Sequence, residues 1–270
     1  MPEEQQPKYI PPTESYTTFN STLDKLVCFL ETTEVYYAKQ VKISRWRVEF
    51  ARRELPELER RMDEFLEKSK LSRADEKRFN KIATWVEHLT DVDLFEPVNI
   101  KLVRQFSELI RILGLFYLVT IFEGYLVDII QEILVTHPDA LKSAKQLTAE
   151  EVLTLGRRKQ IVSYLAEKEV EELQYSSFET VVKYFEDKFN INLNTSVVSP
   201  EQITEILATR NIHIHNKGKI NQRFRKLVKS STLRLGTYKR ITREYLQHAI
   251  SCISTIVSFI DTEARRKISS

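Results

Sequence analysis

Arg210, Asn211 and His215 are the residues of this 270-residue chain whose types and spacing best suit proton transfer and phosphate binding. Cleavage of a phosphodiester without a metal needs a base for the attacking hydroxyl, an acid for the leaving oxygen and positive charge at the phosphate. Histidine suits the proton transfers because its ordinary pKa, about 6.5, lies near neutral pH. Arginine stays protonated and offers a planar fork to phosphate oxygens. Asn211, one helical turn before His215, is placed to orient the imidazole or to bind phosphate.

One helix is predicted to position these residues. Ser199, Pro200 and Gln202 are typical of a helix start, with a capping hydroxyl, a proline at the first helical position and a Gln that closes a capping box. Asn216 and Gly218 indicate its end, because these residue types best tolerate a left-handed backbone.

Apolar residues recur along this helix at helical spacing, and we expect four of them to face the core: Ile203, Ile206, Leu207 and Ile214. Arg210 falls inside the same stripe, where a cation is costly unless a partner neutralises it. The candidate partner is Glu123, which directly follows the apolar run Ile112–Phe122. The alternative is that Glu123 reaches solvent at the edge of the bundle.

His213 and His215 form a His-x-His pair, but this spacing does not predict a metal site. On a helix the two side chains point about 200° apart, so they cannot share one ion. We therefore expect no metal and no cofactor, and we expect His213 to support the site.

A basic segment begins at the same helix. Between Ile206 and Arg243 the chain has eleven Lys or Arg residues and no Asp or Glu. We interpret this segment as a footprint for a phosphate backbone. The alternative is a solvated loop with incidental lysines. The candidate RNA-binding residues are Lys217, Lys219, Arg223, Arg225, Lys226 and Lys229.

Composition and periodicity predict an all-α fold, a helical bundle, because the chain has only 5 Gly and 8 Pro and no alternating β-branched runs. We expect a flexible arm over 1–17, a helical extension (a hairpin or coil) over 18–97 and a helical domain over 98–270. Helix starts are predicted at Ser21, Pro56 and Ser72, followed by an apolar helix over Val98–Val135.

Cysteine usage and hydropathy favour a cytoplasmic protein. Cys28 and Cys252 are far apart in sequence and form neither a disulfide framework nor a metal-ligand pattern. The apolar run Ile112–Phe122 is shorter than a bilayer span, and no membrane association is expected. Trp46, which has basic neighbours, either touches RNA or packs in the fold, and packing is the favoured interpretation.

The run Arg210–His215, spelled RNIHIH, resembles the signature of the HEPN superfamily, all-helical proteins that are often metal-independent ribonucleases. The resemblance covers roughly 98–266 and is nearest to the RiboL-PSP-type subgroup. It implies an endoribonuclease that acts on tRNA, rRNA or mRNA in stress response, toxin–antitoxin systems or phage defence. It also implies a homodimer through the motif helix, in which each protomer contributes one Arg and one His.

Two further points follow from the same resemblance. One subset of the family carries a Tyr two residues after the His and is controlled by nucleotidyl transfer onto it. Lys217 occupies that position here, so this control is not expected. A non-catalytic RNA-binding or regulatory module, similar to an antitoxin, is the alternative function, and an antitoxin or regulatory protein is a candidate partner.

Overall fold

The computed structural model describes residues 10–67, 72–141, 147–174 and 176–269, except the side chains of 41, 44, 47, 66 and 89–105. The chain is 82% helical, and the predicted all-α fold is confirmed. Within the described ranges the β structure is one isolated bridge between Lys219 and Tyr238. The α-helices are α1 (Glu14–Leu66), α2 (Arg73–Thr136), α3 (Ala149–Leu155), α4 (Arg158–Gln174), α5 (Phe178–Phe189), α6 (Pro200–His215), α7 (Gln222–Leu227) and α8 (Arg243–Ile268). Short 3-10 turns occupy Pro138–Leu141 and Leu193–Thr195.

The chain divides into two compact units. Unit 1 comprises Met1–Cys28 and Arg111–Ser270, and unit 2 comprises Phe29–Ile110. Both α1 and α2 contribute residues to each unit. The unit boundaries therefore fall inside long helices rather than at the predicted positions after residues 17 and 97.

Unit 2 is an antiparallel helical hairpin formed by α1 and α2. Phe65 and Phe79 meet edge to face beside the connection, with ring centroids 6.4 Å apart. At the other end Tyr37 stacks on Phe106 at the same centroid distance. The predicted helical hairpin is thus present. The predicted helix start at Pro56 is wrong, because α1 continues through this exposed proline and loses only one backbone hydrogen bond there.

The first helix also begins earlier than the sequence predicts, at Glu14 rather than Ser21. Thr13 accounts for this start, since its Oγ1 accepts a hydrogen bond from the Tyr16 amide at 3.1 Å. The buried carboxylate of Asp261 on α8 fixes Thr13 by accepting bonds from its amide and hydroxyl, at 3.1 and 2.7 Å. A tertiary contact that is remote in sequence therefore sets the helix boundary.

Ser72 caps α2 as predicted, because its Oγ accepts from the Asp75 amide at 3.2 Å. The two helices predicted from Ser72 and from Val98 form one continuous helix. The second half of α2 supplies the centre of unit 1, where Leu115, Leu118 and Phe122 are fully buried. Each such side chain contributes roughly 1.5–3 kcal/mol by leaving water. This helix contacts α5 through the rings of Phe122 and Phe178, whose centroids are 5.9 Å apart, and α8 through the Tyr125 hydroxyl, which donates to the Val257 carbonyl at 3.3 Å.

Within the described part of the chain, one segment, Phe106–Thr136 of α2, is long and apolar enough to cross a membrane by length and composition alone. It spans 31 residues; its most apolar 18-residue window has a mean hydropathy of 1.8, and 44% of that window is buried inside the protein. The core helix of a soluble protein has the same properties. The absence of a membrane association stays a prediction.

Candidate functional site

Helix α6 carries the motif, and its predicted ends are largely as the sequence indicates. The Ser199 amide donates to Gln202 Oε1 at 3.0 Å, and Pro200 is the first helical residue. Beyond the last helical residue the backbone turns through two left-handed positions, Lys217 (φ 52°) and Gly218 (φ 72°). Asn216 is not left-handed, contrary to expectation, and its side-chain amide instead donates to the Lys219 carbonyl at 2.6 Å.

The buried arc of α6 is rotated relative to the predicted stripe. Ile203 and Ile206 are buried as expected, but Ile214 is 46% exposed, so its predicted core position is wrong. The residues that complete the core-facing surface are Ala208, Thr209 and Ile212. The reason is that the segment after α6 folds back onto this side of the helix.

The opposite surface of α6 is open to solvent. We call Leu207, Asn211, Ile214 and His215 the open face, because at about 100° per residue they fall within one arc of about 100°. Leu207 and Asn211 are half-buried, whereas Ile214 and His215 are exposed. Asn211 and His215 lie one turn apart on this surface, as the motif predicts.

Arg210 borders the open face and pairs with Glu123, as predicted. Its Nη2 donates to Glu123 Oε1, joining α6 to α2. The Arg210 side chain is 20% exposed and the Glu123 side chain 51%. Burial raises the pKa of Glu123, and the nearby Arg210 guanidinium opposes that shift. Arg210 Nε is buried without a hydrogen-bond partner among the described residues.

A groove of about 540 Å³ lies beside this ion pair. It is bounded by α2, α4, α5 and α6, and a Cβ built at Gly124 would meet no atom within 4 Å. Its walls are mainly apolar, with Leu126, Val127, Ile130, Leu173, Val181 and Leu207 among them. This size is typical of ligand sites.

His213, the predicted supporting residue, is held firmly on the side of α6 away from the open face. Its Nε2 lies 2.8 Å from the carbonyl oxygen of Lys239. Its ring meets Tyr238 edge to face at 5.6 Å. A Cβ on Gly218 would come within 2.8 Å of the His213 ring and 2.4 Å of the Tyr238 ring, so only glycine fits there. His213 therefore binds the returning chain, whereas His215 does not.

The basic segment folds into a small lobe, residues 216–241, that we call the basic lobe. Its interior consists of Ile220, Phe224 and Val228, which pack with Ala208 and Ile212 of α6. The predicted short helix is α7, and Asn221 caps it by accepting from the Phe224 amide at 2.8 Å. All six predicted RNA-binding residues are exposed on this lobe. Their charges therefore lie on the surface of a lobe that has its own packed interior.

Sequence reasoning missed one polar cluster that anchors this lobe. Glu205 accepts from Lys239 Nζ at 2.8 Å and from the Tyr245 hydroxyl at 2.9 Å. Burial, together with the Glu205 carboxylate, raises the pKa of Tyr245. The Lys239 side chain is only 15% exposed, so it is a structural cation rather than a surface charge. The signal that the sequence offered is that Glu205 directly precedes the acid-free segment and the apolar pair Ile206 and Leu207.

His215 and Asn211 make no side-chain hydrogen bond to the residues described here, and both remain available for other contacts. Searching the described ranges for three or more His, Cys, Asp or Glu side chains able to hold a metal ion gives no such group. No protein-family model, curated protein or solved structure matches this chain.

Proposed function

We propose that this protein is a metal-independent endoribonuclease of the HEPN type. The observation that carries the proposal is the open face of α6, which leaves His215 exposed and Asn211 half-buried between Arg210 and the basic lobe. A helix that served only as scaffold would not need a histidine, an asparagine and a half-buried arginine on its solvent side.

The chemistry requires two proton transfers at one phosphate. His215 would take the proton from a 2′-hydroxyl, and the 2′-oxygen would then attack phosphorus to form a cyclic phosphate. The leaving 5′-oxygen would take a proton from His215 of the partner subunit. Arg210 and cations of the basic lobe would stabilise the negative charge on the phosphorane oxygens.

A two-fold pairing of open faces supplies the second histidine. Ile214, which is 46% exposed, offers an apolar contact at the centre of such a pairing. Ile206, by contrast, is 1% exposed and belongs to the core of one protomer, so it takes no part in the contact. Within this dimer, Arg210 would exchange its bond to Glu123 for phosphate oxygens.

By the resemblance, the substrate would be tRNA, rRNA or mRNA in a bacterial cytoplasm, in stress response or phage defence, with an antitoxin-like protein as regulator. The direct test incubates purified protein with total RNA in EDTA. Fragments with cyclic or 3′ phosphates are expected from the wild type and not from His215→Ala. Cleavage that requires added Mg²⁺ contradicts this mechanism.

A non-catalytic RNA-binding module is the second candidate, and the Arg210–Glu123 pair favours it. Glu123 already neutralises Arg210, the cation that would bind the phosphate. A purely structural role of Arg210 would explain this pairing. Under this alternative His215→Ala leaves RNA binding unchanged, and neither protein yields fragments in EDTA.

A further inference from the structure

Unit 2 carries a second cationic surface, on α1 and separate in sequence from the basic lobe. Between Val35 and Arg53 the chain has six Lys or Arg residues and one acidic residue, Glu49. Lys39, Lys42 and Arg45 are exposed. No hydrogen bond or ion pair joins these three side chains to another described residue. This surface therefore presents a net positive charge to solvent.

Trp46 lies among these cations and is not packed in the fold, contrary to the interpretation favoured from sequence. Its side chain is 63% exposed. At about 100° per residue, Trp46 falls within one arc of about 120° that also holds Lys39, Lys42 and Arg45. Glu49 shares this arc, so four cationic or aromatic side chains face outward with one carboxylate.

The indole of Trp46 contacts an aromatic ring one turn further along the helix. It stacks on the Phe50 ring, with centroids 5.4 Å apart and an angle of 23° between the planes. The guanidinium of Arg53 lies over the same Phe50 ring, 5.9 Å from its centroid. One face of the indole is thus covered by Phe50, which leaves the other available for a flat partner.

We infer that this α1 surface binds single-stranded nucleic acid, with Trp46 stacked on an unpaired base and Lys39, Lys42 and Arg45 on the adjoining phosphates. An aromatic platform beside cations is how proteins hold single strands without reading sequence. A duplex offers no free base face to the indole. An anionic membrane is disfavoured because membrane-surface helices need a broad apolar face, and between Val35 and Glu49 this arc offers only Val35, Ala38 and Trp46.

The inference deepens the proposed function and rests on it only for the identity of the strand as RNA. Binding can be measured without cleavage by using a 12-nucleotide 2′-O-methyl RNA, which lacks the nucleophilic 2′-hydroxyl. Failure of this binding and failure of cleavage in EDTA are then separate results.

The chain has two tryptophans, Trp46 and Trp85, which allows a matched fluorescence experiment on the full protein. Trp85 is 48% exposed and lies on α2 of the same unit. Trp85→Phe leaves Trp46 as the reporter, and we expect its emission to be quenched by the single strand and much less by the same sequence as a duplex. Trp46→Phe leaves Trp85, whose emission should not change.

Affinity provides the second readout. Trp46→Ala should weaken binding about tenfold, as expected for one stacked base. Replacing Lys39, Lys42 and Arg45 by Ala should lower the slope of log K against log salt by up to about 2. The matched control replaces Lys77, Arg78 and Lys81 of α2, which are also exposed but stand beside Asp75 and Glu76, and it should leave the slope unchanged.

Two results would overturn the inference. One is unchanged Trp46 emission when anisotropy shows that the oligonucleotide is bound. The other is a blue shift of Trp46 with phosphatidylserine vesicles but no response to the single strand, which would identify a membrane surface instead.

Discussion

The two sides of α6 differ in how they use the same residue type. On the closed face, His213 is locked by the Lys239 carbonyl and the Tyr238 ring, and the basic lobe covers Ala208 and Ile212. On the open face, two residues further on, His215 is exposed and makes no such contact. The two histidines of the His-x-His pair therefore have different roles. The His213 imidazole contacts the basic lobe, and the His215 imidazole is available for chemistry.

The largest expected effect separates these two histidines. His215→Ala should reduce RNA cleavage by 10²–10⁴-fold, the usual contribution of a general acid–base group. Its free energy of unfolding should change by less than about 0.5 kcal/mol, because the side chain is exposed. Cleavage assays and urea unfolding measure both quantities.

His213→Ala is the matched change on the closed face. We expect it to lower the free energy of unfolding by about 1–2 kcal/mol, since it removes a partly buried hydrogen bond and a ring contact. If His215→Ala were the less stable protein of the two, the division of roles would be wrong.

The closed face can be disturbed directly at Gly218. Gly218→Ala places a Cβ 2.4 Å from the Tyr238 ring at a φ of 72°, and we expect a loss of about 2 kcal/mol. Gly236→Ala is the control: its φ is 78° but a Cβ there meets nothing within 4 Å, so the loss should be about 1 kcal/mol. Equal losses in thermal or urea unfolding would mean that Tyr238 and His213 do not confine Gly218.

The charges of the basic lobe should contribute to RNA affinity. Replacing Arg223, Arg225 and Lys226 by Ala should lower the slope of log K against log salt by up to about 2, equally across sequences. The comparison variant replaces Arg157, Arg158 and Lys159, which are exposed at the start of α4. If that variant lowered the slope of log K against log salt by a similar amount, the basic lobe would not be the specific site of RNA binding.

The smallest expected effect is a pH dependence at Glu123, beside the open face. Because burial raises its pKa above 4.5, the folded protein binds this proton more tightly than the unfolded chain does. The free energy of unfolding should therefore fall as pH rises from 4.5 through the folded pKa. Glu123→Gln should remove that part of the slope in urea unfolding between pH 4.5 and 7. If the free energy of unfolding depended on pH equally in Glu123→Gln and in the wild type, the raised pKa of Glu123 would be contradicted.

Much of the fold could be predicted from local sequence signals. Capping residues and apolar spacing located α6 and α8, and an apolar stripe with a single cation indicated the pairing of Arg210 with Glu123. Boundaries set by remote contacts could not be predicted. The start of α1 depends on Asp261, which is 248 residues from Thr13 in sequence.

The rotated position of the buried face of α6 could not be predicted from the sequence either, because it depends on the lobe that folds back after Gly218. Periodicity placed Ile214 in the core, but the lobe covers Ala208 and Ile212 and leaves Ile214 outside. The exposure of Trp46 was missed for a related reason: a long two-helix hairpin buries only one face of each helix.

The composite site at the open face is tested most directly by measuring the cleavage rate per protomer in EDTA across protein concentrations, alongside sedimentation. A shared site predicts that the rate per protomer rises with concentration and levels off where the dimer is fully formed. A constant rate in a protein that sediments as a monomer throughout would contradict it.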